Sequence, residues 1–171
     1  MDTDAQIGAD TGAGTAVELA VEDPAGQEAR ALLAASDAFA MALYPAESNH
    51  LLDVETLRGA AVTFLVARAG GRAVGCGAIV RSGADWAEIK RMFVADEARG
   101  LGVGRRLLLR LEEIAAAEGI AFLRLETGIR QPTAIGLYRG AGFADIPPFG
   151  DYAPDPLSLF MEKRITAGRP T

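Results

Sequence analysis

The sequence predicts one α+β domain built on a largely antiparallel sheet with helices against it. Three observations lead there: strand-like apolar runs joined by tight Gly turns between residues 62 and 94, a strongly amphipathic run beginning at Val103, and a helix, strand, helix, strand order from there to Glu162. A length of 171 residues suits a single core, since domains commonly hold ~100 to 200 residues. Half of the residues are hydrophobic and 23% are charged, a globular composition able to bury a sizeable core.

Residues 1–14 (MDTDAQIGADTGAG) are polar, Gly-rich and aperiodic, and are expected to be a disordered leader to a domain over 15–166, with 167–171 a flexible tail. Thr15 to Val21 alternates as a strand. Asp23-Pro24 reads as a helix start, a capping carboxylate before a proline at the first helical position, and Leu32, Phe39 and Leu43 continue it to Pro45. Ala46 to Leu52 opens a second short helix reaching about Leu57. Val62 to Ala67 and Ala73 to Val80 form a hairpin about Gly70-Gly71, and Trp86 to Val94 adds a third strand after Ser82-Gly83. Val103, Leu107, Leu108, Leu111, Ile114 and Ala115 then share one helical face opposite Arg105, Arg106, Arg110, Glu112 and Glu113, with Gly119 as the stop. Ile120 to Thr127 is a strand, Pro132 to Arg139 a helix, and Leu157 to Glu162 the last strand.

Composition also excludes. Seventeen basic against 23 acidic residues leave a net charge of −6, against sequence-independent nucleic-acid binding, which needs phosphate neutralisation. No apolar run approaches the ~20 residues of a membrane span, and no basic-then-apolar secretory signal opens the chain, so a cytoplasmic protein is expected. The single cysteine, Cys76, forms no internal disulfide; with the single histidine, His50, it leaves no cluster for zinc, and no metal is expected.

The chemistry concentrates where Glu88-Ile89-Lys90-Arg91-Met92-Phe93-Val94 feeds Arg99-Gly100-Leu101-Gly102-Val103-Gly104-Arg105. A strand, a Gly-rich turn and a helix N-terminus with unpaired N–H groups make a phosphate cradle in a locally basic segment. Neither a P-loop nor GxGxxG fits, for no Gly-Lys-Ser/Thr is present and Arg105 stands where the third glycine belongs. The pattern that fits is Arg/Gln-x-x-Gly-x-Gly/Ala, and about 30 residues on stands Ala134-Ile135-Gly136-Leu137-Tyr138-Arg139-Gly140-Ala141-Gly142-Phe143.

With these two motifs in this order, residues 62–163 resemble the GNAT superfamily of acyl-CoA-dependent N-acyltransferases. The resemblance implies a mixed, mostly antiparallel sheet of six to seven strands flanked by about four helices, with acetyl-CoA as co-substrate. Backbone N–H groups of Arg99, Gly100, Leu101, Gly102, Val103, Gly104 and Arg105 would then hold the pyrophosphate. Met92, Phe93 and Val94 would pair with the pantetheine arm, and Gln131 stands where many members place an Asn on the cofactor. Tyr138 matches the tyrosine that protonates the departing thiolate, though it also reads as a core aromatic beside Leu137. The acceptor amine must lose a proton, and a carboxylate is the expected helper. Glu88 corresponds to a catalytic Glu of some members, but it equally fits a strand carboxylate paired with Lys90 or Arg91. Glu126, on the neighbouring strand, is the alternative. Tyr44, Glu47, His50, Glu126 and Arg130 are the candidate acceptor-binding residues, in loops that include Pro147 to Pro156. A small-molecule amine is expected, with a protein lysine or N-terminal acetyltransferase and a non-catalytic acyl-CoA sensor as alternatives. A homodimer is expected on the edge of an exposed apolar final strand.

Overall fold

The computed structural model describes residues 16–166, so the expected leader over 1–14 and tail over 167–171 lie outside the described residues. Along the chain run β1 (Val17–Val21), α1 (Gln27–Leu43), α2 (Val54–Leu57), β2 (Val62–Ala69), β3 (Arg72–Arg81), β4 (Trp86–Val94), α3 (Val103–Ala117), β5 (Phe122–Gly128), α4 (Pro132–Gly140), β6 (Ala144–Ile146) and β7 (Ser158–Arg164). The strands form one sheet in the order β1-β2-β3-β4-β5-β7-β6. Every neighbouring pair is antiparallel except β4 with β5, the junction where the meander meets the helix-connected half. No helix among the described residues is long and apolar enough to cross a membrane.

Alternation along the strands supplies two cores. Leu65, Ala67, Ile79, Ile89, Leu123, Leu125 and Met161 pack with Leu107, Leu108 and Leu111 of α3 and with Tyr138 of α4. Phe64, Val66, Cys76 and Ala78 face the other way, against Ala29, Leu32 and Leu33 of α1 and Leu57 of α2.

Several local expectations are corrected. Asp23 does not open α1: its carboxylate accepts the Ala25 N–H at 2.9 Å in a turn, and the helix starts three residues past Pro24, at Gln27. The buried stripe of α1 is Ala29, Leu32, Leu33, Ser36 and Ala40, while Phe39 is 42% exposed; small residues let the helix lie close to the sheet. The second helix is two pieces, a 3-10 turn over Ala46–Ser48 and then α2. Asp53 divides them by accepting the Thr56 N–H at 2.8 Å as the cap, whereas the Ser48 hydroxyl bonds Asp155 at 2.7 Å. A strand absent from the sequence reading, β6, is three residues long, too short to show a period. It covers the outer side of β7, so the final strand is interior and the sheet edges are β1 and β6; the edge expected for a dimer is therefore filled.

At the C-terminal end of β5 the Tyr44 ring lies on Gly128. A Cβ at Gly128 would stand 1.9 Å from the tyrosine oxygen and 2.1 Å from Cζ, so a rigid ring would have to move. Gly128→Ala is expected to lower stability by ~1–3 kcal/mol, the usual cost of overpacking, read from denaturant unfolding, while Gly71→Ala, whose Cβ would meet nothing within 4 Å, isolates the backbone cost of a positive φ.

Candidate active site

β4 and β5 pair only through Trp86 with Phe122, Ala87 with Leu123, and Glu88 with Arg124. Beyond Glu88 they part, because β5 continues along β7 as far as Gly128 while β4 follows β3 to Val94. The Ala95 N–H donates to Val74 O on β3 at 2.8 Å. Strand alternation therefore turns the N–H groups of Val94 and Met92 toward the opened side. Phe93 faces α1, where it lines a groove of about 450 Å³ with Leu32, Phe39 and Ala95. That groove lies apart from the chemistry described below and contains none of the candidate acids or bases.

Past β4 the chain makes a 3-10 turn over Asp96–Ala98 and enters α3. Gly102, the residue before α3, has φ 72°, a left-handed conformation that costs other residues ~1 kcal/mol or more. Of the N–H groups expected to cradle phosphate, Arg99 donates to Asp96 O at 3.2 Å and Leu101 to Ala98 O at 3.3 Å, while the first donor of α3 with a carbonyl is Arg106, to Gly102 O at 3.1 Å. The N–H groups of Val103, Gly104 and Arg105 thus have no acceptor within the helix. With no side-chain cap and no acid in its first turn, this end keeps both its donors and its positive dipole for an anion. A Cβ on Gly104 would come within 3.3 Å of Leu137 on α4, so that glycine also sets how close the two helices lie.

Tyr138 sits on the α3 and α4 side of the sheet, 6% exposed and edge-on to Phe143 with ring centroids 5.9 Å apart. Burial pushes its phenol above the usual range, and the charge of Glu126 adds to the shift. It is a protonated donor at neutral pH.

On the opposite face a polar cluster gathers. Tyr152, from the loop between β6 and β7, donates its hydroxyl to Glu88 Oε1 at 2.5 Å and accepts from Lys90 Nζ at 2.6 Å. The same ammonium donates to His50 O at 2.9 Å and lies 3.5 Å from Glu88 Oε1. The Tyr152 ring is edge-on to His50, Phe149 and Phe160. Burial raises its phenol pKa, and its bond to Glu88 acts in the same direction. Glu126 joins this cluster from β5, half-buried and without an ion pair among the described residues. Burial raises its pKa above the ordinary carboxylate value, Ser158, His50 and Lys90 oppose the rise, and Glu88 adds to it.

Of the residues expected on the acceptor side, His50 and Glu126 come together with Glu88. Tyr44 is buried and accepts the Arg130 N–H at 3.1 Å, and the Arg130 guanidinium is bonded to Leu43 O at 2.6 Å; both brace the end of β5. Glu47 is exposed, and Gln131, before α4, has its Oε1 3.3 Å from Thr127 Oγ1. Sequence reasoning chose the Pro147 to Pro156 segment but not Tyr152 within it, and took Lys90 only as a partner for Glu88. The signal for Lys90 was its i, i+2 spacing from Glu88; Tyr152 gave none, because its partners lie over 60 positions away. Cys76 is buried, with its thiol pKa pushed up to about 12 by desolvation.

An opened strand pair beside an uncapped helix N-terminus, with acids on one face and the Tyr138 phenol on the other, can seat an extended anionic ligand between two sets of titratable groups. The Acetyltransferase (GNAT) family model matches residues 29–143, and the chain belongs to that family. It is 53% identical over 150 residues to an IAA acetyltransferase of Azospirillum brasilense, covering 87% of this chain and 98% of the relative. Among solved structures, a Klebsiella pneumoniae protein assigned as an acyl-CoA N-acyltransferase superposes with a TM-score of 0.74 at 39% identity, over 87% of this chain and 97% of the other. The PaiA N-acetyltransferase of Thermoplasma acidophilum, in complex with coenzyme A, shares the fold at 19% identity and a TM-score of 0.67, over 87% of this chain and 99% of that one. The protein is thus an acyltransferase of the GNAT family.

Tyr152→Phe keeps the ring with its edge-on contacts and removes the hydroxyl that links Glu88 to Lys90. The expected outcome in steady-state kinetics is an acceptor KM raised by about tenfold, equivalent to ~1.4 kcal/mol, with the KM for acetyl-CoA unchanged.

Proposed function

We propose that this chain is an N-acetyltransferase that moves the acetyl group of acetyl-CoA directly to the primary amine of a small molecule within a ternary complex. The observation that carries this reading is the opened gap between β4 and β5, which has carboxylates on one face and Tyr138 on the other. In it the pantetheine arm lies along Met92 to Val94, and the pyrophosphate meets the free N–H groups at the start of α3. The N–H groups turned into the gap polarise the thioester carbonyl and receive the charge of the tetrahedral oxyanion.

The acceptor enters from the face of Glu88, His50 and Tyr152. Glu88 is already bonded to Tyr152. Glu126 has no ion pair among the described residues and a raised pKa, so it is the group that takes the ammonium proton, with Glu88 orienting the amine. The neutral nitrogen attacks the carbonyl carbon, the C–S bond breaks, Tyr138 gives its proton to the sulfur, and the second proton lost by the nitrogen passes to solvent, from which the phenol is restored. A route through an acetylated cysteine has no support, since the chain's one cysteine is buried with a thiol pKa of about 12. The Ser48 to Asp155 bond and the Tyr152 contacts hold the β6–β7 loop over this face, which favours a small acceptor over a peptide.

Thiol release from acetyl-CoA against a panel of amines, amino acids, lysine peptides and IAA tests the proposal. Release with one small-molecule class supports it; release only with peptides would place the chain among protein acetyltransferases, and CoA binding without release would make it a sensor. Tyr138→Phe and Glu126→Gln should each lower turnover by ~10² to 10⁴ if chemistry limits the rate. The proton acceptor works only when ionised, and its pKa is raised, so kcat/KM should fall with decreasing pH through a limb above 4.5. That limb should vanish in Glu126→Gln and persist in Glu88→Gln.

A further inference from the structure

Arg91 is the one non-glycine residue with a positive φ among the described residues, at 58°. A long side chain reaches that region only where its surroundings hold it there. It stands where the β3–β4 register slips, between the pairs Ala78 with Lys90 and Cys76 with Phe93. Arg91 and Met92 together therefore oppose Gly77 alone, which makes a β-bulge. The fit is close: a Cβ on Gly77 would lie 2.5 Å from Met92 Sδ.

The Arg91 side chain is buried, 2% exposed, and runs to α1. Its Nη1 is 2.7 Å from Asp37 Oδ1, and its Nη2 donates to Leu33 O at 3.0 Å. Its own carbonyl accepts from Cys76 Sγ at 3.3 Å. Its Nε is buried and has no partner among the described residues. A buried guanidinium with one nitrogen unsatisfied is a costly way to fill a core, and apolar residues of similar volume often pack as well or better. What it adds is a fixed link between a helix and one point of a strand.

That point lies within the opened stretch of β4, three residues past Glu88, the last residue paired with β5. We infer that Arg91 is a positioning residue for acetyl-CoA: clamped to α1 through Asp37 and Leu33, it holds the β4 bulge in the shape that presents Met92 and Val94 to the thioester arm. The inference rests on the proposed placement of the cofactor along β4.

Calorimetric Kd values for CoA, with melting temperatures, test it in the wild type, Asp37→Asn, Arg91→Gly and Arg81→Met. Arg91→Gly removes the cost of the positive φ along with the clamp, so a bulge held by its backbone alone would survive it. Arg81→Met breaks a different ion pair, with Glu118, at the opposite end of β4 from Met92 and Val94. The expected result is CoA affinity weakened about threefold or more in Asp37→Asn and about tenfold or more in Arg91→Gly, with Arg81→Met lowering only the melting temperature. Wild-type affinity in Arg91→Gly, or an equal loss in Asp37→Asn and Arg81→Met, overturns the inference. Should Arg91→Gly not fold, Asp37→Asn alone decides, and an unchanged Kd there is the contradicting result. A wild type that does not bind CoA removes the cofactor placement itself, whereas wild-type binding with unaffected variants removes only the role of Arg91.

Discussion

The parting of two parallel strands governs this molecule. Three residue pairs join β4 to β5, and then each strand follows its antiparallel neighbour. A sheet that opens in its middle exposes backbone donors that would ordinarily be paired, and buried donors without acceptors are costly. The opening persists because both sides are braced. Gly77 gives room for the β4 bulge, and Gly128 gives room for the Tyr44 ring at the end of β5. The left-handed Arg91 stands in the opened stretch of β4, and the uncapped start of α3 follows the end of that strand with donors that a ligand would satisfy.

Charge is arranged around the gap by the same logic. Glu88 and Lys90 are both nearly buried, with side-chain exposures of 12% and 10%. Such a pair is tolerable only with further hydrogen bonds, and Tyr152 and the His50 carbonyl supply them. Glu126 has no ion pair among the described residues, and desolvation raises its pKa against the opposing influence of Ser158, His50 and Lys90. A half-buried carboxylate whose charge is penalised by burial is a poor contributor to stability, which is consistent with the proton-accepting role proposed for Glu126.

Much of this was legible in the chain. The hairpin and third strand showed themselves through period-two runs closed by glycines, and α3 through a stripe of leucines at helical spacing. The Gly-rich turn into α3 was visible because it sets glycines in a fixed order at the start of a helix. What escaped was short or distant. Three residues of β6 carry no period, the Asp53 cap splits what read as one helix, and Phe39 was at helical spacing yet is 42% exposed because Ala29, Leu32, Leu33, Ser36 and Ala40 form the buried stripe of α1. The link from Tyr152 to Glu88 joins residues 64 positions apart, and only the fold brings them together. Arg91 read as one basic residue in a run of them, with nothing in the sequence to separate a buried clamp from a solvated charge.

If the gap and the adjoining helix end receive the cofactor through backbone N–H groups, bound CoA must protect those groups from solvent. Hydrogen–deuterium exchange with and without CoA measures those groups directly. Slowed exchange is expected at Met92, Val94 and Val103 to Arg105, with little change at the far ends of β2 and β3. Protection that instead appeared around Phe39 and Ala95, in the groove beside α1, or that left the start of α3 exchanging as in the free protein, would contradict it.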